Sequence, residues 1–274
     1  MRRSAAGERL LVITAAASAS TVQAAAVAGV SVLVAPSEVH RATTGVLILP
    51  GGQRLDLTSP DPTVRRLRPG RPAWATYAIL TYLLDAPAPQ GELAKRAGVS
   101  QARVSQVLSG AREWVSNTGS LWRVSDWDGL ARWIGATAPS AGDLASTWLG
   151  LDSPTVLGAS IAKTLGERGV RYALSGDVAG DYLAPWAHPT RAVIYTERGF
   201  DLGELGLTPA PADQANLEVL IPVDPYVLRD TTSAPGSPVL ASPWRVWLDA
   251  RRVGNLDAAS AVLDFLRDRA RVAR

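Results

Sequence analysis

The stretch GELAKRAGVSQARVSQVLSG, residues 91 to 110, decides how the middle of this chain is read. Leu93 and Ala94 belong to a first helix, and the small Ala94 lets a second helix approach closely. Gly98 takes the turn, where a left-handed backbone is cheap only for glycine. Val99 plugs the space between the helices, and Ser100 caps the second one. Val104, Val107 and Leu108 repeat at i, i+3 and i+4 and point inward. The spacing predicts a helix-turn-helix. Ser100, Gln101, Ala102, Arg103, Ser105 and Gln106 then lie at the start of the second helix, where such motifs meet double-stranded DNA in its major groove. Glutamine pairs bidentately with adenine and arginine with guanine, each worth about 1–3 kcal/mol of discrimination.

The flanks extend the motif. Upstream, AWATYAILTYLLD places apolar residues at 74, 77, 79, 80, 83 and 84, a helical face rather than an alternation. Downstream, REWVSNTGSLWRVSD holds two short apolar runs around an Asn/Gly turn, the pattern of a β-hairpin. A winged helix-turn-helix over residues 73–126 is expected, with Arg112 and Arg123 as phosphate contacts on or beside the wing. Such contacts supply salt-sensitive affinity and position the protein without reading sequence.

Immediately before this segment stands RRLRPGRPAW, residues 65 to 74. Pro and Gly break it too often for a helix, and it is too charged for a core strand. Three readings stand for Arg65, Arg66, Arg68 and Arg71: phosphate contacts, a solvated linker, or an arm entering the minor groove.

The chain has 274 residues, enough for two or three small domains. It contains no cysteine, which removes disulfides, thiolate catalysis and cysteine-ligated zinc, and suits a reducing compartment. All but Lys95 and Lys163 of its 28 basic residues are arginine. A GC-rich coding bias explains that, and so does a need for bidentate phosphate contacts. Net charge is +4 over residues 1–70, +2 over 71–126 and −3 over 127–274. The basic front suits a polyanion.

The opening MRRSAAGERLLVITAAASAS imitates a secretory signal. Glu8 and Arg9 interrupt its lead-in, and VSVLVAP at 30–36 resembles a strand partner for LLVIT, so a cytoplasmic, nucleoid-associated location is expected. No apolar run approaches the ~20 residues of a membrane span, so no membrane partner is expected.

The fold class expected is α/β (α+β): a small α/β domain over 1–64, the arm or linker at 65–72, the winged helix over 73–126, a linking segment over 127–150, and a C-terminal α/β domain over 151–274. In the first domain Glu38 and Asp56 lack the lysine a nuclease motif would place near them. In the last, SPTVLGASIAKTLGERG reads as a helix, VRYALSG, RAVIYTE and LEVLIPV as strands, and DVAGDYLAPW as a short helix. Ser242 and Pro243 start another helix, and LDAASAVLDFLRDRARVAR closes the chain as an amphipathic one.

The segments RYALSGDVAGDYLAP, AVIYTE and SPWRVWLDARRVGNLDAASAVLDFL resemble the C-terminal domain of AbiEi-type antitoxins, the DNA-binding components of type IV toxin–antitoxin and abortive-infection loci. The resemblance spans about residues 72–274, and the order of winged helix then α/β domain matches. It implies a transcriptional repressor of its own promoter acting through repeated sites, with a cognate toxin as a partner the family can carry. A homodimer is the default for helix-turn-helix regulators, an expectation from the class and not from these residues.

The order strand, Ser175–Gly176, helix, strand is also that of a minimal nucleotidyltransferase. That chemistry needs paired carboxylates on the following strand to hold Mg²⁺. RAVIYTE has no such pair, only Glu197 standing alone at its end, and Asp177 and Asp181 read as cap and surface. His40 and His188 lack metal-ligand spacing, and no G-x-S-x-G is present. Trp122, Trp127, Trp133, Trp244 and Trp247 read as core and interface anchors. The chain is therefore expected to be no enzyme and to need no cofactor or metal. Two functions remain: a sequence-specific repressor, or an architectural or replicon-maintenance DNA-binding protein of low specificity.

Overall fold

In the computed structural model the described residues are 11–14, 17–34, 44–48, 54–58, 73–139, 144–185, 188–233 and 237–273. They form a mixed α/β chain that divides into two compact units, Met1–Gly70 and Arg71–Arg274.

In the first unit, β1 (Leu11–Thr14), α1 (Ala19–Val27), β2 (Ser31–Val34), β3 (Thr44–Ile48) and β4 (Arg54–Thr58) build a sheet ordered β1-β2-β3-β4. The parallel pair β1–β2, Leu11 opposite Ser31, joins the two segments that resembled partners in sequence. Helix α1 bridges them as a parallel pair requires. Its N-terminus is capped by Ser18, which accepts from the Thr21 N–H. Val32, Val34 and Val46 form the small core, with Val22, Ala25, Ala26 and Ile48 packed on it. The side chain of Asp56 and all of Glu38 and His40 lie outside the described residues.

The second unit opens with α2 (Trp74–Asp85), the short β5 (Ala88–Pro89), α3 (Gln90–Ala97), α4 (Gln101–Gly110) and the hairpin β6 (Val115–Thr118) and β7 (Leu121–Val124). The hairpin closes through Gly119 and Ser120, with Gly119 at φ 68°, as a tight turn between twisted strands needs. Strand β5 pairs with β7, so a three-stranded sheet ordered β5-β7-β6 ties the hairpin to the start of α3.

The segment 127–150, expected to be a link, holds α5 (Trp127–Thr137) and β8 (Leu144–Leu149). Asp126 caps α5, accepting from the Gly129 N–H, and Trp127, Leu130, Ala131 and Ile134 bury one face. Strand β8 belongs to a seven-stranded sheet with β9 (Tyr172–Ser175), β10 (Ala192–Thr196), β11 (Thr208–Pro209), β12 (Leu217–Ile221), β13 (Thr231–Thr232) and β14 (Leu240–Ala241). Its order is β11-β8-β12-β10-β9-β14-β13. Every residue of β10 is buried, as for a central strand covered on both faces.

Four helices complete the unit: α6 (Pro154–Glu167), α7 (Gly176–Leu183), α8 (Pro243–Arg252) and α9 (Leu256–Val272). Helices α6 and α7 pack on β9 and β10, and α7, α8 and α9 pack on one another. One hydrophobic core runs from Ile79, Leu93 and Leu108 through Leu130 and Trp244 to Ile194 and Leu217. The helices before the hairpin therefore share their interior with the large sheet. Tryptophans make the seam: Trp127 and Trp244 lie 5.7 Å apart, and Trp244 donates its Nε1–H to Asp85 Oδ1 at 2.9 Å.

Candidate nucleic-acid interface

Helices α3 and α4 are set by their junction. Leu93, Ala94 and Ala97 turn inward, Gly98 adopts φ 65°, ψ 35°, and the Val99 N–H returns to the Ala94 carbonyl. Ser100 then accepts from the Arg103 N–H at 3.2 Å and starts α4. Val104, Val107 and Leu108 are buried, which fixes the helix's roll. Gln101, Ala102, Ser105 and Gln106 are exposed on the other side. A side-chain hydrogen bond from Gln90 to the Gln101 carbonyl, 3.0 Å, braces the start of α4 against that of α3.

Arg103 departs from its expected outward direction. It is half-buried, and its guanidinium lies along α2, donating to Thr76 Oγ1 at 3.1 Å and to Gln106 Oε1 at 3.3 Å. Both partners are neutral, and among the described residues Arg103 has no carboxylate partner. Arg112 is exposed in the turn after α4, and Arg123 is exposed on β7 opposite Ser116. From Val99 to Arg112 there is no acidic residue, nor from Trp114 to Ser125. The exposed side of α4 and the hairpin is thus polar, cationic in places and nearly free of negative charge. Arg65, Arg66, Arg68 and Arg71 lie outside the described residues.

The C-terminal end of α3, beside the Gly98 junction, is also held by a feature with no sequence signature. The turn before β13 brings Tyr226 and Arg229 to the helix's last carbonyls, acceptors that have no intrahelical N–H partner. Tyr226 donates to Ala97 O at 2.8 Å, and Arg229 donates to Arg96 O at 2.8 Å and Ala97 O at 3.3 Å. Arg229 also reaches Tyr82 Oη on α2 at 2.9 Å, and Tyr82 donates to Asp230. Burial pushes the Tyr82 hydroxyl well up from its ordinary range, with Asp230 adding to it, and raises that of Tyr226. Burial pulls Arg229 down, but its bonds to Asp230 and Tyr82 outweigh that and hold it above its usual value. Tyr82 and Tyr226 therefore remain neutral donors, and Arg229 a cation, at neutral pH.

A second polar cluster lies inside the sheet unit. Asp249 of α8 is almost fully buried and accepts from Ser175 Oγ at 2.6 Å and Tyr195 Oη at 2.9 Å. Arg245 pairs with it at 3.2 Å and also donates to Tyr195 Oη at 2.8 Å. Arg252 reaches Asp249 at 3.5 Å and Glu218 at 2.8 Å. The cluster pins α8 to β9, β10 and β12, and every charge in it has a counter-charge.

The residues at the nucleotidyltransferase-like turn are engaged structurally. Gly176 has φ 64°, and a Cβ there would meet Val193 at 2.8 Å. Asp177, read from sequence as a cap or surface residue, is buried: Oδ2 accepts from the Thr190 N–H at 2.7 Å, Thr190 Oγ1 at 2.9 Å and Asn255 at 3.3 Å. It ties α7 to the segment before β10 and to the α8–α9 turn, a contact 78 residues away that local pattern does not carry. Asp181 is half-buried. Glu197 accepts from Arg171 N–H and Nε, and those bonds hold its carboxyl below the usual range. His188 is exposed. Among the described residues no group of three or more His, Asp or Glu is placed to hold a metal, and no helix is long and apolar enough to cross a membrane.

No protein-family model, curated protein or solved structure matches the chain.

Proposed function

We propose that the protein is a sequence-specific double-stranded DNA-binding regulator whose residues 73–126 act as a winged helix-turn-helix. In this reading α4 lies in the major groove, Gln101, Ala102, Ser105 and Gln106 face base edges, and Arg112 and Arg123 grip phosphates on either side. The observation that carries it is the exposed side of α4: polar, capped at its N-terminus, free of acids, and flanked by an arginine-bearing hairpin. The resemblance to AbiEi-type antitoxins adds that the target is the protein's own promoter and that the action is repression. A toxin partner and a dimeric state belong to the same proposal.

The conformation of Arg103 favours a second reading. With its guanidinium on Thr76, only neutral side chains remain at the base-facing surface of α4. An architectural DNA-binding protein of low specificity fits that arrangement. Fluorescence anisotropy separates the two, comparing DNA from upstream of the gene with scrambled DNA at ~150 mM salt, where screening strips weak phosphate binding. A regulator binds the upstream DNA at least tenfold tighter, and Gln101→Ala/Gln106→Ala removes most of that ratio. Equal affinity for both DNAs, unchanged in the variant, sinks the regulator and leaves the architectural reading.

A further inference from the structure

The turn that clamps α3 also walls a cleft of about 730 Å³ beside α4. Its sides are Trp74 at the start of α2, Val99 in the α3–α4 junction, and Val223, Pro225 and Tyr226 from the clamp. Arg103, whose guanidinium lies on Thr76 and Gln106 just beyond the cleft, lines it as well. That volume lies in the range of ligand sites, which are mostly apolar with a few polar groups that fix orientation. Of the nine described residues that line the cleft, Arg103 is the single charged one, and no carboxylate is among them.

We infer that this cleft binds a small aromatic carboxylate, with its ring between Trp74, Pro225 and Tyr226 and its carboxylate on Arg103. The inference deepens the proposed DNA-binding function and rests on it for its regulatory meaning. The charge argument comes first. A half-buried guanidinium held by two neutral acceptors gains a charge-assisted, bidentate partner when a carboxylate arrives. One cation among apolar walls suits a monoanion with an apolar body. A nucleic-acid backbone needs several cations along a polar track, and the cleft offers one. Trp74 supplies a stacking face, and Tyr226, whose ring carries the Arg229 guanidinium 4.2 Å over one side, supplies its other side.

Occupancy would be felt on α4 directly. Arg103 bridges the cleft and Gln106, a residue assigned to base reading, so a ligand on Arg103 competes for the bond that now holds Gln106 Oε1. Tyr226 is at once a cleft wall and a cap on α3. The ligand therefore touches both supports of the two-helix unit, and its differential contacts are what bias one arrangement of α4 over another.

The test is a calorimetric titration of the full chain, without DNA, using phenylacetate, indole-3-acetate and 2-naphthoate, each beside its neutral amide. Saturable one-to-one binding of at least one acid is expected, at least tenfold tighter than its amide. Arg103→Gln should erase the acid-over-amide preference, Arg103→Lys should restore part of it, and Trp74→Ala should weaken acid and amide alike. Thermal unfolding of each variant establishes that it is folded. The inference is overturned if no acid binds saturably up to 10 mM, a limit near 3 kcal/mol of affinity. Acid and amide binding equally, with Arg103→Gln unchanged, overturns it as well. Because no DNA is present, failure here is distinct from failure of the DNA-binding reading, which the upstream-versus-scrambled comparison tests by itself.

Discussion

Helices α4 and α8 begin in the same way and end up doing opposite things. Each is capped by a serine, Ser100 or Ser242, which accepts from the backbone N–H of an arginine three residues on, Arg103 or Arg245. Inside the sheet unit, Arg245 is nearly buried and pairs with Asp249, with Tyr195 and Ser175 completing the shell. At the surface of α4, Arg103 has the neutral Thr76 and Gln106. The first arginine is spent on holding the fold, because a buried charge without a counter-charge is too costly to keep. The second carries a charge the fold does not need, and it stands beside both the polar side of α4 and the cleft. That uncompensated, half-buried charge is the reason both proposals place an outside anion near Arg103.

The sharpest way to break this comparison is to remove each arginine's charge. Arg245→Gln strips Asp249 of the nearer of its two cations and leaves Arg252 at 3.5 Å, so the loss should be a large part of the about 3–5 kcal/mol that breaking a buried pair costs. Arg103→Gln should cost under about 1 kcal/mol, the scale of one net hydrogen bond. Urea unfolding of both variants checks the ranking, and equal losses would erase the distinction drawn here.

Next in size is Gly98→Ala. A left-handed backbone costs a residue with a Cβ about 1–2 kcal/mol, and that atom would sit 3.3 Å from Arg229 Nη1 of the clamp. The variant should lose stability and, through the altered α3–α4 angle, weaken DNA binding more than Arg112→Ala does. Stability loss with unchanged DNA affinity would show that the junction does not position α4 for binding.

The caps should behave alike, since their geometry is the same. Ser100→Ala and Ser242→Ala are each expected to lose about 1 kcal/mol. DNA affinity should respond to the first and not to the second, measured side by side at one salt concentration.

The smallest effect is a pH dependence. Burial holds the Asp85 carboxyl above its ordinary range, against the opposing pull of Trp244, Arg269 and Arg96. For a raised folded value the native state binds the proton more tightly, so stability is fully present below the unfolded value, about 3.9. It is lost as pH rises through the raised value. Native protein should therefore lose stability relative to Asp85→Asn as pH climbs through that window. Unfolding curves across it that run parallel would remove the assignment.

The parts of the fold legible in sequence were those with local causes. Gly98, Ser100, Ser242 and Pro243 announce junctions because each solves a backbone problem within four residues. Val104, Val107 and Leu108 show the roll of α4 by spacing alone. Helix α5 lies where a link is expected, although Asp126 caps it and Trp127, Leu130 and Ile134 give it a helical face. Strand β8, LASTWL, has little apolar alternation and is recruited by pairing with β12. The clamp was invisible, because Tyr226 and Arg229 meet Ala97 across 129 and 132 residues with no motif at either end. Asp177 reads as a cap or surface acid, and Asp249 carries no signal of its own, since burial depends on what folds over them. At the candidate interface, residue identities were legible on α4, but the direction of Arg103 was not. It is set by Thr76 on a different helix.

The central claim is that the exposed side of α4 is where DNA binds, and photo-crosslinking tests it most directly. A benzophenone side chain would be placed at position 101, 105 or 112, and at 163 on α6 as a control, with upstream DNA at ~150 mM salt. The account predicts DNA adducts from 101, 105 and 112 and none above background from 163. Adducts from 163 equal to those from 101 and 105 would contradict it, and so would DNA binding that yields no adduct from any position on α4.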